Sequence, residues 1–116
     1  MTKLHHIGIV VKNIDKYVDI LTKLGGKYMF EGVTDDFEAE CVFIQFNNTL
    51  IELVKGTIPG NHLNKFVEKY GEGLHHIAIL TDIENGKAGA LPKMKCLFNK
   101  PNDDCRILIE KVDFDE

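Results

Sequence analysis

One phrase is written twice in this chain. LHHIGIVVKNID (4–15) aligns with LHHIAILTDIEN (74–85) without a gap. A second pair follows in the same order, TLIELVKG (49–56) and RILIEKVD (106–113). A repeat at this spacing constrains the fold more than composition does, because each copy must bury its apolar face against the other. The chain therefore reads as one domain over residues 1–116. Module 1 spans 1–57, a linker helix lies within 58–72, and module 2 spans 73–116.

Local patterning supplies the elements. LHHIGIVV, rich in β-branched residues, reads as a strand. Ile14, Tyr17, Val18, Leu21 and Leu24 recur at helical spacing, with Asn13 or Asp15 as cap and Gly25-Gly26 as stop. KYMFEG (27–32), ECVFIQF (40–46) and TLIELVK (49–55) read as strands, with a tight turn at Asn47-Asn48. Module 1 is thus βαβββ. In the linker, Leu63, Phe66, Val67 and Tyr70 mark a helix that Asn61 caps and Gly71 ends. Module 2 opens on LHHIAIL and is predicted to hold a poor helix within 83–91, interrupted by Gly86 and Gly89 and ended by Pro92. MKCLFNK (94–100) and CRILIEKV (105–112) complete it as strands around a PNDD turn. The expected total is seven strands and three helices, the second module being one strand short. The fold class is α+β, a curved mixed sheet built from two βαβββ-type modules around a metal cleft.

Strand alternation then sorts the side chains. Leu4, His6, Gly8 and Val10 share one face, and His5, Ile7, Ile9 and Val11 the other. In the second copy, His76 shares its face with Ala78. Gly8 and Ala78 are small, so His6 and His76 look across open space. Glu52 and Glu110 each sit mid-strand among aliphatic residues, where burying a carboxylate costs several kcal/mol, roughly, unless a cation compensates. Two such acids at equivalent places point to one shared charge, a divalent metal held by His6, Glu52, His76 and Glu110. Two imidazoles and two carboxylates suit Zn²⁺, Ni²⁺, Co²⁺, Mn²⁺ or Fe²⁺ without choosing among them. An ion with open positions there would polarise a carbonyl and stabilise an enolate.

The other candidates are weaker. His62 heads the linker helix and is expected in solvent. Asp103-Asp104 reads as a turn without Ca²⁺ ligand spacing. Glu38 and Glu40 begin a strand, where either could reach the cavity rim as an acid/base group.

The net charge of −4 and the lack of a Lys/Arg block argue against nucleic acid and anionic membrane as partners. No apolar run is long enough to span a bilayer, and MTKLHH does not read as a signal peptide. Three cysteines, Cys41, Cys96 and Cys105, form no C-x-x-C and read as free thiols of a cytoplasmic protein.

These features resemble the vicinal oxygen chelate superfamily, which includes glyoxalase I, methylmalonyl-CoA epimerase, extradiol dioxygenases and antibiotic-resistance proteins. KFVEKYGEGLHHIAI (65–79), LHHIGIVVKNID and FNNTLIELVKG (46–56) are most similar to the epimerase branch. The resemblance implies metal ligation by His6, Glu52, His76 and Glu110, and chelation of two substrate oxygens. It also implies proton transfer beside a carbonyl of an acyl-CoA or other carbonyl compound. Glu110 then doubles as base, and Glu38 or Glu40, with Glu40 preferred, supplies the second acid/base group. A glyoxalase I-like lactoylglutathione lyase fits the same ligand order, and a non-catalytic resistance-type binding protein fits the shortened second module. An exposed sheet edge left by the shortening favours a homodimer.

Overall fold

The computed structural model describes residues 2–35, 37–83, 86–99 and 105–114. The first copy of the repeat forms β1 (Lys3–Val10), and α1 (Ile14–Lys23) follows it. Asn13 starts α1 by accepting a hydrogen bond from the Lys16 amide at 3.2 Å, and Gly25 leaves it at φ 105°, a conformation that favours glycine. β2 (Lys27–Thr34), β3 (Ala39–Phe46) and β4 (Thr49–Gly56) complete the first half. α2 (His62–Tyr70) lies between the halves. Its cap Asn61 is buried. The Asn61 Oδ1 accepts from the Asn64 amide at 3.0 Å, and its Nδ2 donates to the Glu38 carbonyl at 2.7 Å. The second half is β5 (Gly73–Leu80), β6 (Lys87–Ala88), β7 (Met94–Asn99) and β8 (Leu108–Phe114).

All the strands join one curled sheet in the order β2-β3-β4-β1-β5-β8-β7-β6. That order reads the same from either end once each strand is exchanged for its counterpart in the other half. β1 pairs parallel with β4, and β5 parallel with β8. The two copies of the repeated phrase meet antiparallel at the centre, with Ile7 opposite Ile77. A pseudo-two-fold axis therefore passes between β1 and β5. The expected α+β architecture of two modules in a curved mixed sheet is the one observed.

The count of elements differs in module 2. Among the described residues there are eight strands and two helices. No described residue of the stretch 83–91 is helical; Lys87–Ala88 instead pairs with β7 as β6. Gly86, Gly89 and Pro92 explain this, since each weakens or breaks a helix and none opposes a short edge pairing. The fourth strand is thus present but cut to two residues, against eight in its counterpart β2. The predicted turn at 101–104, with Asp103-Asp104, lies outside the described residues.

Packing separates the two faces. Ile14, Tyr17, Val18 and Leu21 of α1 cover one face through Val11, Val42, Ile44 and Leu53. On the other face, Val10, Ala39, Cys41, Phe43 and Val54 pack with Leu63 of α2. Ala78, Met94, Cys96 and Val112 continue that face into the second half. No helix of the described residues is long and apolar enough to cross a membrane.

Candidate metal centre

The register of the central strands positions the site. His6 stands opposite Ala78, and His76 opposite Gly8. Gly8 is also level with Glu52 on β4, and Ala78 with Glu110 on β8. Each histidine thus faces a small residue flanked by a glutamate. At Gly8 the space is fully used, because a Cβ there would fall inside the His76 imidazole.

The four side chains converge. His6 Nε2 and His76 Nε2 are 3.1 Å apart. His6 Nε2 lies 3.4 Å from Glu52 Oε1 and 3.1 Å from Glu110 Oε1. His76 Nε2 lies 3.0 Å from Glu52 Oε1 and 3.4 Å from Glu110 Oε1. Ligand atoms at about 2.0–2.2 Å from one ion and 90–109° apart are separated by about 2.8–3.6 Å, so these spacings match a coordination sphere. His6, His76 and Glu110 offer donor atoms that all lie within 4.8 Å of one another.

The site is buried. His6, His76, Glu110 and Glu52 are 1, 2, 4 and 6% exposed. Burial pulls the His6 pKa down, but the carboxylates of Glu110 and Glu52 beside it outweigh this and raise the value to about 9. Burial likewise pushes Glu52 up, and its contacts with His6 and His76 more than reverse this, holding it below the usual carboxylate range. Glu110 Oε1 remains a buried oxygen that makes no hydrogen bond despite its closeness to both imidazoles. An unsatisfied buried carboxylate oxygen calls for an explanation. A divalent ion at the centre would supply one, and the nitrogen and oxygen donors fit such an ion.

The histidines that precede His6 and His76 are not where simple alternation puts them. The pairing skips His5 between Leu4 and His6, and skips His75 between Leu74 and His76. Both are β-bulge residues, and bulges re-aim side chains. His5 Nδ1 sits 2.7 Å from His6 Nδ1, and His75 Nδ1 2.7 Å from His76 Nδ1. Burial and the adjacent His6 lower the His5 pKa to about 4; burial and the adjacent His76 lower His75 to about 3.

Aromatic walls complete the duplication. Phe43 meets the His6 ring edge-on at 5.2 Å, and Phe98 meets His76 edge-on at 5.2 Å. Phe43 is opposite Glu52, and Phe98 opposite Glu110. A cavity of about 40 Å³ adjoins the centre, reached by Glu52, His76 and Glu110 and walled by Phe37, Leu63 and Phe98. His62 is exposed, as expected, yet it also lines this cavity, its ring 6.4 Å from that of His75.

The structure does not bring Glu40 to the centre. It alternates with Ala39 and Cys41, which face the core, and stands level with Lys55. It lines a separate, wider cavity of about 450 Å³ with Lys12, Asp15, Glu31 and Lys55. That cavity contains none of the four converging residues, so its size does not make it the chemical site. Glu38 is exposed at φ 49°, and its carbonyl accepts hydrogen bonds from Thr57 and Asn61. Strand alternation thus turns Glu40, the preferred second acid/base residue, away from the four converging side chains.

Comparison with known proteins decides the family. The model of the glyoxalase/bleomycin resistance protein/dioxygenase superfamily matches residues 5–102. The chain belongs to this superfamily. It is 30% identical over 92 residues to the uncharacterized protein YqjC of Bacillus subtilis (strain 168), a match spanning 78% of this chain and 66% of that protein. Among solved structures, it resembles BH1468 of Bacillus halodurans C-125, with a TM-score of 0.85, 23% identity and coverage of 99% and 96% of the two chains. It resembles methylmalonyl-CoA epimerase from Mycobacterium tuberculosis at TM-score 0.86 and 20% identity, covering 97% and 88%. A variant of the Streptomyces coelicolor methylmalonyl-CoA epimerase, in complex with 2-nitronate-propionyl-CoA, gives 0.88 and 21%, covering 100% and 99%. At these identities the structural neighbours establish a shared fold.

Proposed function

We propose that this superfamily member is a divalent-metal-dependent isomerase that moves a proton at a carbon next to a carbonyl, as methylmalonyl-CoA epimerase does. The observation that carries the reading is the convergence of His6, His76, Glu52 and Glu110 within 3.0–3.4 Å in a buried site. Solved neighbours bound to acyl-CoA compounds support a small carbonyl substrate.

His6, His76, Glu52 and Glu110 would hold the ion, which would supply Lewis-acid stabilisation of negative charge on a substrate oxygen. The chain's own residues do the rest. Glu110 takes the role of base, as the superfamily resemblance implies. Glu52, related to Glu110 by the duplication, takes the second acid/base role in place of Glu40. Phe43 and Phe98 pack edge-on against the ligand imidazoles and keep water from the reacting carbon. The cavity of about 40 Å³ has room for only about one or two water molecules, so an acyl head must widen it, with any longer tail leaving past His62 at the rim.

The test is exchange of the α-hydrogen of a methylmalonyl thioester in D₂O by metal-loaded protein. Exchange that disappears in Glu110→Gln supports the reading, and no exchange at high protein concentration contradicts it. If the glutathione–methylglyoxal hemithioacetal is isomerised instead, the protein is glyoxalase I-like. The aromatic walls of Phe37 and Phe98 beside the centre also favour a second reading, ligand binding without chemistry. A ligand-dependent rise in melting temperature with no turnover would mark that case.

A further inference from the structure

All five histidines of the chain gather around one centre. Two are ligand candidates and one lies at the rim, which leaves His5 and His75 without an assigned task. Neighbouring strand residues ordinarily project to opposite faces, so their rings do not meet. Here two separate bulges bring each pair's Nδ1 atoms to 2.7 Å. The bulges enclose the three in-register pairs His6–Ala78, Ile7–Ile77 and Gly8–His76 and lie symmetrically about the central pair. A bulge disrupts the ladder locally, and two placed by the pseudo-two-fold axis at the same motif form a built feature.

The nitrogen geometry sets the direction of the hydrogen bond. His6 and His76 turn Nε2 to the centre, so a ligand imidazole carries its proton on Nδ1. Among the described residues, the close partner of that proton in each half is the Nδ1 of the preceding histidine. We propose that His5 and His75 are positioning residues, each accepting the Nδ1–H hydrogen bond of its neighbour and so holding Nε2 of His6 and His76 toward the metal. The proposal rests on the metal reading of the centre. It assigns neutral imidazoles to a task that carboxylates or backbone carbonyls commonly perform. The halves are unequal: His75 is 3% exposed and packs against Phe66 at 5.1 Å, while His5 is half-buried. Water can replace His5 more readily than His75.

The test uses the full chain with uniformly ¹⁵N-labelled histidine, metal-free and Zn²⁺-loaded, and compares His5→Leu, His75→Leu, His5→Asn and His75→Asn. The Asn Oδ1 occupies the place of the imidazole Nδ1 and can accept the same bond. In the Zn²⁺-loaded wild type, His6 and His76 are expected as Nδ1–H tautomers with scalar coupling across each Nδ1–H···Nδ1 bond. His75→Leu should weaken Zn²⁺ binding by about 10- to 100-fold, the range for losing such a partner, and His5→Leu by less. Each Asn variant should recover most of the loss. Absent coupling, ligation through Nδ1, unchanged affinity in the Leu variants, or Asn variants no better than Leu would overturn the proposal. Should the Leu variants fail to fold, the wild-type coupling and the Asn affinities still decide it. A wild type that shows the coupling but binds no Zn²⁺ would overturn the metal reading and with it the positioning role.

Discussion

His6 Nε2 and His76 Nε2, from residues 70 positions apart in sequence, stand 3.1 Å from each other across the seam between the two halves. Neither half alone contains this pair, so the site exists only because β1 and β5 are neighbours. A glutamate from each half closes on both imidazoles. The ion is therefore expected to tie the halves together as well as to serve chemistry.

Removing a ligand should cost both metal and stability. His76→Ala is expected to lower Zn²⁺ affinity at least about 100-fold and to remove the metal-dependent rise in melting temperature. Equilibrium dialysis and thermal unfolding with and without Zn²⁺ measure the two effects.

Metal binding should release protons. Metal-free His6, raised to about 9, is protonated at pH 7, and a metal ligand must be neutral at the donor nitrogen. Zn²⁺ binding at pH 7 is expected to expel about one proton from His6, and affinity should rise with pH up to about 9. Calorimetry in buffers of different ionisation enthalpy counts the protons; a count near zero would contradict this assignment.

The metal-free protein should show its own pH dependence. His6, whose pKa is raised on folding from 6.5 to about 9, stabilises fully below 6.5, and that contribution is lost as pH rises through 9. Glu52, held below its ordinary 4.5, contributes above that value and loses it on acidification. His5 and His75, lowered on folding from 6.5 to about 4 and about 3, cost stability as pH falls below 6.5, so the combined contribution is greatest near pH 6.5. Urea unfolding across pH 3–10 in the presence of a chelator is expected to show this maximum.

Gly8→Ala should be more damaging than its single methyl suggests. The added Cβ meets the His76 ring, so the imidazole must move. We expect about 1–3 kcal/mol of destabilisation, typical of overpacking, with weakened metal binding. Glu40→Gln is the control: with its side chain turned toward Lys55, it should leave metal affinity and any α-hydrogen exchange unchanged.

Much of this architecture was legible because duplication writes the same signals twice. The alternation of His6 with Gly8, and of Glu52 with Leu50 and Val54, reports a face directly. A further repeat, ECVF (40–43) against KCLF (95–98), was available in the sequence and aligns the Phe43 and Phe98 walls. The bulges at His5 and His75 were not legible, because strict alternation assumes an unbroken ladder and nothing in His-His marks the extra residue. Glu40 was misplaced for a related reason: its strand was known, but not which residues of that strand face the centre. The short β6 was hidden by two glycines and a proline, which argue against a helix without announcing a strand.

The central claim is that both halves share one divalent ion. Anomalous diffraction at the cobalt edge from crystals of Co²⁺-loaded protein tests it most directly. One peak per chain is predicted, about 2.0–2.3 Å from His6 Nε2, His76 Nε2 and a carboxylate oxygen each of Glu52 and Glu110. A peak elsewhere, or none at that centre under saturating Co²⁺, would contradict it.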